Sequence, residues 1–324
     1  MIKQEIVMGY ILKYPDYPNL KLARIIYNEN PLLFTVDSAR SAIRKALGQN
    51  GDYNRGATKD KFMFVEPKLK NPYKLPDSFE SDYTPFELKG KNILVLCDIH
   101  IPYHSIPALT ACFDYAKGKK IDAILLNGDV IDCHTLSRFV KDPKARSFAS
   151  ELDAFAEFFV ILKNLFNVPI YFKLGNHEER YNHFLWMKAN ELSGVQEFNL
   201  EAIIKKRANV EVIGDKRIIR AGKLNILHGH EFSGGVFSPV NIARGLFLKA
   251  KASAMQGHNH QTSEHTESNL EEHITTTWSI GCLSELHPQY MPINKFNHGF
   301  AIVRVDDEGN FEVENKRIHD GKVL

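Results

Sequence analysis

The sequence predicts an α/β protein, with a large region of βαβ units behind a small helical N-terminal region. Three observations carry this. Short apolar runs of strand length recur from Asn92 onward. Helical patterns separate the early runs, as βαβ units require. Each run stops at a cluster of Asp, Asn or His, and sites in such sheets form beyond the carboxyl ends of the strands.

Residues 1–51 read as short helices over Ile2–Leu12, Leu20–Tyr27 and Ser38–Leu47, with Asp37 as an N-cap and Gly48 as a stop. Pro15, Pro18 and Pro31 punctuate them. The break at Asn28–Phe34 makes the last two helices helix-turn-helix-like. Arg40 and Arg44 lie one turn apart on one face of the third helix, beside Lys45. Residues 52–91 are polar, carry Pro67, Pro72, Pro76 and Pro85, and show no clear periodicity, so they read as a linker or arm. Lys59, Lys61, Lys68, Lys70 and Lys74 make that arm basic. A basic helix and a basic arm could track a phosphate backbone. The alternative is a small helical cap with a solvated basic face.

Residues 92–324 form the main domain of this reading. Ile93–Cys97 leads into Asp98-Ile99-His100, and Ala123–Leu126 into Gly128-Asp129-Val130-Ile131-Asp132. Ile170–Leu174 leads into Gly175-Asn176-His177-Glu178, and Leu224–Leu227 into His228-Gly229-His230. The weaker run Ser253–Gln256 leads into Gly257-His258-Asn259-His260. Helices are expected over Pro107–Ala116 and Ser147–Leu165, the latter with a core stripe of Phe155, Phe158, Phe159 and Leu162.

Composition narrows the class. A formal net charge of +2 over 324 residues, 44% of them hydrophobic, suits a soluble globular protein and gives no global nucleic-acid signal. Cys97, Cys112, Cys133 and Cys282 form no CxxC pair, so a reducing cytoplasm is the expected setting. No apolar run approaches the ~18 residues of a membrane span. The apolar stretch Val7–Leu12 is too short for a signal peptide. Nothing in the sequence points to an oligomeric state.

The strand-end residues suit a metal site. Residues i and i+2 on an extended segment face the same way, so Asp98 with His100, and His258 with His260, can converge on one metal or a metal pair. The glycines before Asp129, Asn176 and His258 permit sharp turns and close approach. Carboxylates, an amide oxygen and imidazoles suit Mn, Fe, Zn, Co or Ni better than Ca or Mg, and no thiolate joins them. Two divalent ions bring four positive charges and two Asp ligands cancel two, so the site would attract an anionic phosphate ester. Ions roughly 3.5–4 Å apart can clamp attacking and leaving oxygens, and a water held between them would supply hydroxide near neutral pH.

The ordered series Asp98-x-His100, Gly128-Asp129-x-x-Asp132, Gly175-Asn176-His177-Glu178, His228 and Gly257-x-His260 resembles the calcineurin-like metallophosphoesterase superfamily over about residues 92–305. The wording around His104, around His228-Gly229-His230-Glu231-Phe232 and in Asn297-His298-Gly299-Phe300 resembles a branch common in bacteriophage genomes. The resemblance implies a four-layer αββα sandwich, with two sheets flanked by helices. It implies two divalent metal ions, manganese favoured. Asp98, His100 and His260 would hold one ion, Asn176, His228 and His258 the other, and Asp129 would bridge them. His177 would contact the phosphate and protonate the leaving group, and Asp132 would orient a neighbouring ligand. Of His228 and His230, the first is taken as the ligand because it directly follows the strand. Protein Ser/Thr phosphatases of this superfamily carry Arg-Gly after Gly-Asp-x-x-Asp; Cys133-His134 stand here instead and speak against that substrate. His134, Arg180 and His230 are the candidate substrate contacts.

The expected activity is therefore phosphodiester hydrolysis, on DNA or RNA, with Arg40, Arg44 and Lys45 as nucleic-acid contacts. A small-molecule phosphomonoesterase or cyclic-nucleotide phosphodiesterase with a structural cap is the second reading. A non-catalytic nucleic-acid-binding module is the third. If phage-encoded, the protein would work in the host cytoplasm.

Overall fold

The computed structural model describes residues 3–15, 17–47, 75–76, 83–138, 147–214, 216–232 and 240–324. The chain divides into two compact units, Met1–Glu80 and Ser81–Leu324. Gly48, Pro67, Pro72 and the arm lysines Lys59, Lys61, Lys68, Lys70 and Lys74 lie outside the described residues.

In the smaller unit, helices α1 (Lys3–Lys13), α2 (Asn19–Glu29) and α3 (Val36–Ala46) enclose a core of Val7, Leu22, Ala23, Ile26, Phe34, Ala39 and Ile43. One expectation is corrected: Thr35, not Asp37, caps α3. The Ser38 amide donates to Thr35 Oγ1 at 3.1 Å and the Thr35 amide to Ser38 Oγ at 2.8 Å, a reciprocal capping box. Asp37 sits within the first turn instead, where its charge still favours the helix N-terminus.

The larger unit has two sheets. In one, β2 (Asn92–Leu96), β3 (Ala123–Asn127), β4 (Ile170–Lys173) and β5 (Glu211–Ile213) run parallel. The antiparallel β11 (His298–Val305), β12 (Phe311–His319) and β13 (Lys322–Val323) extend it beyond β2. The other has the order β1-β6-β7-β8-β10-β9, from Phe86–Glu87, Ile219–Ala221, Leu224–Leu227, Ala254–Gln256, Ile274–Ser279 and Ser263–Ser268. The end of the supposed arm thus contributes a strand: Phe86 and Glu87 pair in parallel with Ile219 and Arg220, and Leu88 is buried between the sheets.

Alternation along each strand builds the layers. Ile93 and Val95 face Ile219, Ile226, Met255 and Trp278 of the second sheet. Leu94 and Leu96 face the opposite way, into a core shared with Leu109 of α4 (Ile106–Lys117) and with Phe155, Phe159 and Leu162 of α5 (Phe148–Phe166). Fully burying a side chain such as Phe155 contributes about 1.5–3 kcal/mol. Beyond the second sheet, Leu227 and Ala254 meet Leu246 of the helix Ile242–Ala250. The result is the four-layer αββα sandwich. Among the described residues no helix is long and apolar enough to cross a membrane.

Candidate metal centre

The carboxyl ends of β2, β3, β4, β7 and β8 carry the motif residues toward one another. They do so in a way the alternation argument did not foresee. Asp98 and His100 are not extended: their φ angles are 53° and 51°. Asp129 (52°), His258 (66°) and His260 (56°) share this left-handed region. L-residues other than Gly rarely enter it, and clusters of such strained residues persist where surrounding structure over-determines them. Convergence therefore comes from tight left-handed turns, tied across strands by Asp98 N donating to Gly128 O and His100 N to Asp129 O. Gly128 and Gly175 make the approach possible, since a Cβ at either would collide with the His228 imidazole or the Asp129 carboxylate.

Two clusters result. Asp98, His100 and His260 form the first: His260 Nε2 lies 3.2 Å from His100 Nε2 and 3.3 Å from Asp98 Oδ1. Asp129, His228 and His258 form the second: His228 Nε2 lies 3.2 Å from Asp129 Oδ2 and 3.1 Å from Asn176 Oδ1. His258 and His260 thus fall in different clusters. Asp129 Oδ2 faces the first cluster too, 4.0 Å from His100 Nε2, and is 3.8 Å from His177 Nε2.

The donor set fits a pair of metal ions. His228 Nδ1 donates to Asn127 O at 2.8 Å, which turns Nε2 toward Asp129. His100 Nδ1 donates to Asp132 Oδ1 at 2.9 Å, which leaves Nε2 as a lone pair facing His260. Lone pairs and carboxylate oxygens so gathered need a cation between them. Without one, protons take its place. Burial opposes a charged His228, yet Asp129, Asp98 and the Asn127 carbonyl outweigh it and push the imidazole up to about 10. Burial likewise opposes a charged His260, and Asp98 raises it. His258 goes down to about 4, through burial and then the charge on His228.

Asp132 joins the centre to its rim. Its Oδ1 also accepts from His177 Nδ1 at 2.9 Å. Burial works against ionising Asp132, but these two imidazoles hold it well below the usual carboxylate range. Arg180 donates to Asp132 O at 2.9 Å and to His177 Nε2 at 2.7 Å. His230 turns instead to Glu179 Oε1 at 3.0 Å. His134 lies in a short turn after Cys133 and lines a cavity of about 270 Å³ with His100, Asp132 and Tyr290. Asn176 and Arg180 line a second cavity of about 450 Å³ with Arg138, His183, Trp186 and Met187. Arg40, Arg44 and Lys45 belong to the smaller unit, on α3, where Arg44 and Lys45 are exposed and Arg40 is half-buried.

Two braces escaped the sequence reading. Glu178, buried, accepts the amides of Asp129, Val130, Ile131 and Gly175 at 2.8–3.0 Å and so ties two ligand loops together. The signal was its place three residues after Gly175, the N3 position of a capping box. Glu231 accepts the amides of His228 and Gly229 at 2.8 and 2.7 Å and pairs with the fully buried Lys173 at 3.0 Å. Burial opposes ionising Glu231, but Lys173 and these amides bring it down to about 2. A Lys within an apolar strand run is the signal, because Lys is seldom fully buried unless paired.

A two-sheet sandwich with paired His and Asp clusters at its strand ends defines a metal-dependent phosphoester hydrolase class. The model of the calcineurin-like phosphoesterase family matches residues 91–269, more than half of the chain, and the chain belongs to that family. It is similar to the Gene 54 protein of Mycobacterium phage L5, 25% identical over 235 residues that cover 68% of this chain and 91% of that one. Among solved structures it is similar to vacuolar protein sorting 29 from Cryptosporidium parvum, at 14% identity, 72% and 95% coverage and a TM-score of 0.39. A dimetal phosphatase from Danio rerio is similar at 11% identity, 73% and 98% coverage and a TM-score of 0.38.

Proposed function

We propose that this protein is a dinuclear phosphodiesterase that cleaves DNA or RNA strands. One observation carries the diester reading. Two cavities adjoin the centre: one reaches His100 of the first cluster, and the other reaches Asn176 beside the second. A phosphomonoester carries one organic group; a diester carries two and fills both cavities. The aromatic and basic linings, with Tyr290 on one side and Arg138, Arg180 and Trp186 on the other, suit bases and phosphates. The phage relative supports a site of action in the host cytoplasm.

In this proposal Asp98, His100 and His260 hold one divalent ion, and Asn176, His228 and His258 the other, with Asp129 shared. Manganese is favoured. Bound ions would supply Lewis acidity and lower the pKa of a water. The chain's own residues do the rest. Arg180 approaches an entering phosphate and gives up its hydrogen bond to His177 Nε2. His177 Nε2, so freed, takes up a proton from solvent and passes it to the leaving oxygen, while Asp132 at Nδ1 steadies the intervening imidazolium. His134, in the wall of the 270 Å³ cavity, and His230, beside His228 and His258, are further substrate contacts. Arg44 and Lys45, with Arg40 behind them, offer phosphate contacts on the smaller unit.

The test is a manganese-loaded assay on bis(p-nitrophenyl) phosphate against p-nitrophenyl phosphate, followed by labelled DNA and RNA. The diester is the expected better substrate, and at least one nucleic acid is cleaved. Preference for the monoester with intact nucleic acids would overturn the proposal.

A further inference from the structure

The helix α6 (Asn176–Lys188) begins at the metal centre and runs away from it. Asn176, Arg180, His183 and Met187 recur at helical spacing, and Trp186 adjoins them, so this side of the helix lines the 450 Å³ cavity as a continuous ridge. The opposite side is spent on the core, where Tyr181 and Leu185 are buried. Trp186 is 60% exposed, as is Met187, and the Trp186 and His183 rings meet at 5.4 Å between centroids. An exposed Trp beside such a cavity calls for an occupant. The cations Arg138 and Arg180 in the cavity wall argue for an anionic one.

We infer that the α6 ridge is a binding track for a single-stranded nucleic acid, with Trp186 as a stacking platform for a base away from the scissile phosphate. Helix geometry supplies the reach. At a rise of 1.5 Å per residue, Trp186 lies roughly 15 Å along the axis from Asn176. That is several times the ~3.4 Å axial step between nucleotides of one strand. A strand whose scissile phosphate lies beside Asn176 therefore carries a base a few nucleotides further on as far as Trp186. Stacking on an indole tolerates any base, so the track selects for length and not for sequence. The inference rests on the phosphodiesterase reading and assigns its substrate class.

The experiment compares kcat/KM of the manganese-loaded full chain on a dinucleotide and on longer single-stranded oligonucleotides. The longer substrates are expected to be better by about tenfold, as loss of one stacked base would cost. Trp186→Ala should abolish that ratio and Trp186→Phe should keep it. Cleavage of oligonucleotides with no length preference, or a ratio untouched by Trp186→Ala, would overturn the track while leaving the phosphodiesterase intact. A second readout needs no turnover. Trp278 is buried at 7% exposure, so quenching by added ligand in EDTA reports chiefly on Trp186. A hexanucleotide should quench at far lower concentration than a mononucleotide; equal or absent quenching overturns the track. This arm decides the question even if Trp186→Ala does not fold or no diester is cleaved. Sedimentation showing a dimer that Trp186→Ala dissociates would assign the ridge to a second copy of the chain instead.

Discussion

The two halves of the metal centre are built differently. In the first, Asp98, His100 and His260 are all buried, and all three have left-handed backbone. Their positions are set by the main chain. In the second, only His258 of the three outer ligands is left-handed: Asn176 opens a helix, His228 follows a strand with ordinary backbone, and Asn176 and His258 are half-buried. Here side chains do the holding: Glu231 grips the His228 loop and is itself held by Lys173. A centre held by backbone resists point substitution outside its ligands. One held by a buried ion pair is open to it. The first half should therefore bind its ion rigidly, and the second, nearer the 450 Å³ cavity, should be the adjustable one.

The shared ligand gives the largest expected effect. Asp129→Asn removes a carboxylate that faces imidazoles of both clusters, so both ions should weaken. A loss of about 4 kcal/mol of transition-state stabilisation corresponds to on the order of 10³-fold in kcat/KM. Elemental analysis after dialysis should find well under one ion per chain. Retention of one tightly held ion would mean that Asp129 is not shared and that the halves are independent.

Glu231→Gln should separate the halves. It keeps the shape and removes the charge, so the His228 loop loosens and second-site affinity should fall about 10–100-fold. Calorimetric titration with Mn²⁺ should show one site unchanged and one weakened. An equal loss at both sites would contradict the division between main-chain and side-chain support. The change also removes the carboxylate paired with the buried Lys173, which keeps its hydrogen bond to Arg217 O, at about 3–5 kcal/mol in stability. The double variant with Lys173→Met removes that stranded charge and should refold the protein without restoring the second site.

The same contrast explains what the sequence revealed. The runs ending at Asp98, Asp129, Asn176, His228 and His258 were legible because buried parallel strands are almost wholly apolar and the ligands interrupt them abruptly. Their division between two sheets was not legible from the runs themselves. It depends on β6–β7 and β9–β10 pairings that leave no mark on the ligand motifs. The strand Phe311–His319 was missed because most of it is only partly buried and its sequence is polar. Phe86–Glu87 was missed because two residues carry no period. Within the centre, ligand types could be read, but the left-handed turns at Asp98 and His100 could not. Asp and His enter that region more readily than most residues, but nothing in Asp-Ile-His marks this segment as a turn and not extended chain. Lys173 was in plain view, but its partner Glu231 lies on another strand's loop and is brought to it only by the fold.

Proton occupancy of the unloaded centre gives the smallest effect and the finest test of the comparison. His228 is raised from an ordinary value of about 6.5 to about 10 in the folded chain. A group raised in this way stabilises the metal-free fold fully below the unfolded value, and that stabilisation is lost as pH climbs through the folded one. His260 is shifted in the same direction by Asp98. His258 is shifted the other way, down to about 4, so its effect falls below pH ~6.5 and leaves the alkaline window to the other two. Metal-free protein should therefore lose thermal stability between about pH 6.5 and 10, by a few degrees in Tm. Manganese-loaded protein should not, because an ion replaces those protons. Its apparent affinity should rise over the same window in both halves, since His228 and His260 are both raised. Scanning fluorimetry of both forms across that range checks the sign. A metal-free Tm that rises with pH would show that His228 is neutral in the folded chain, and that the carboxylates of the second half are balanced by something other than its imidazole.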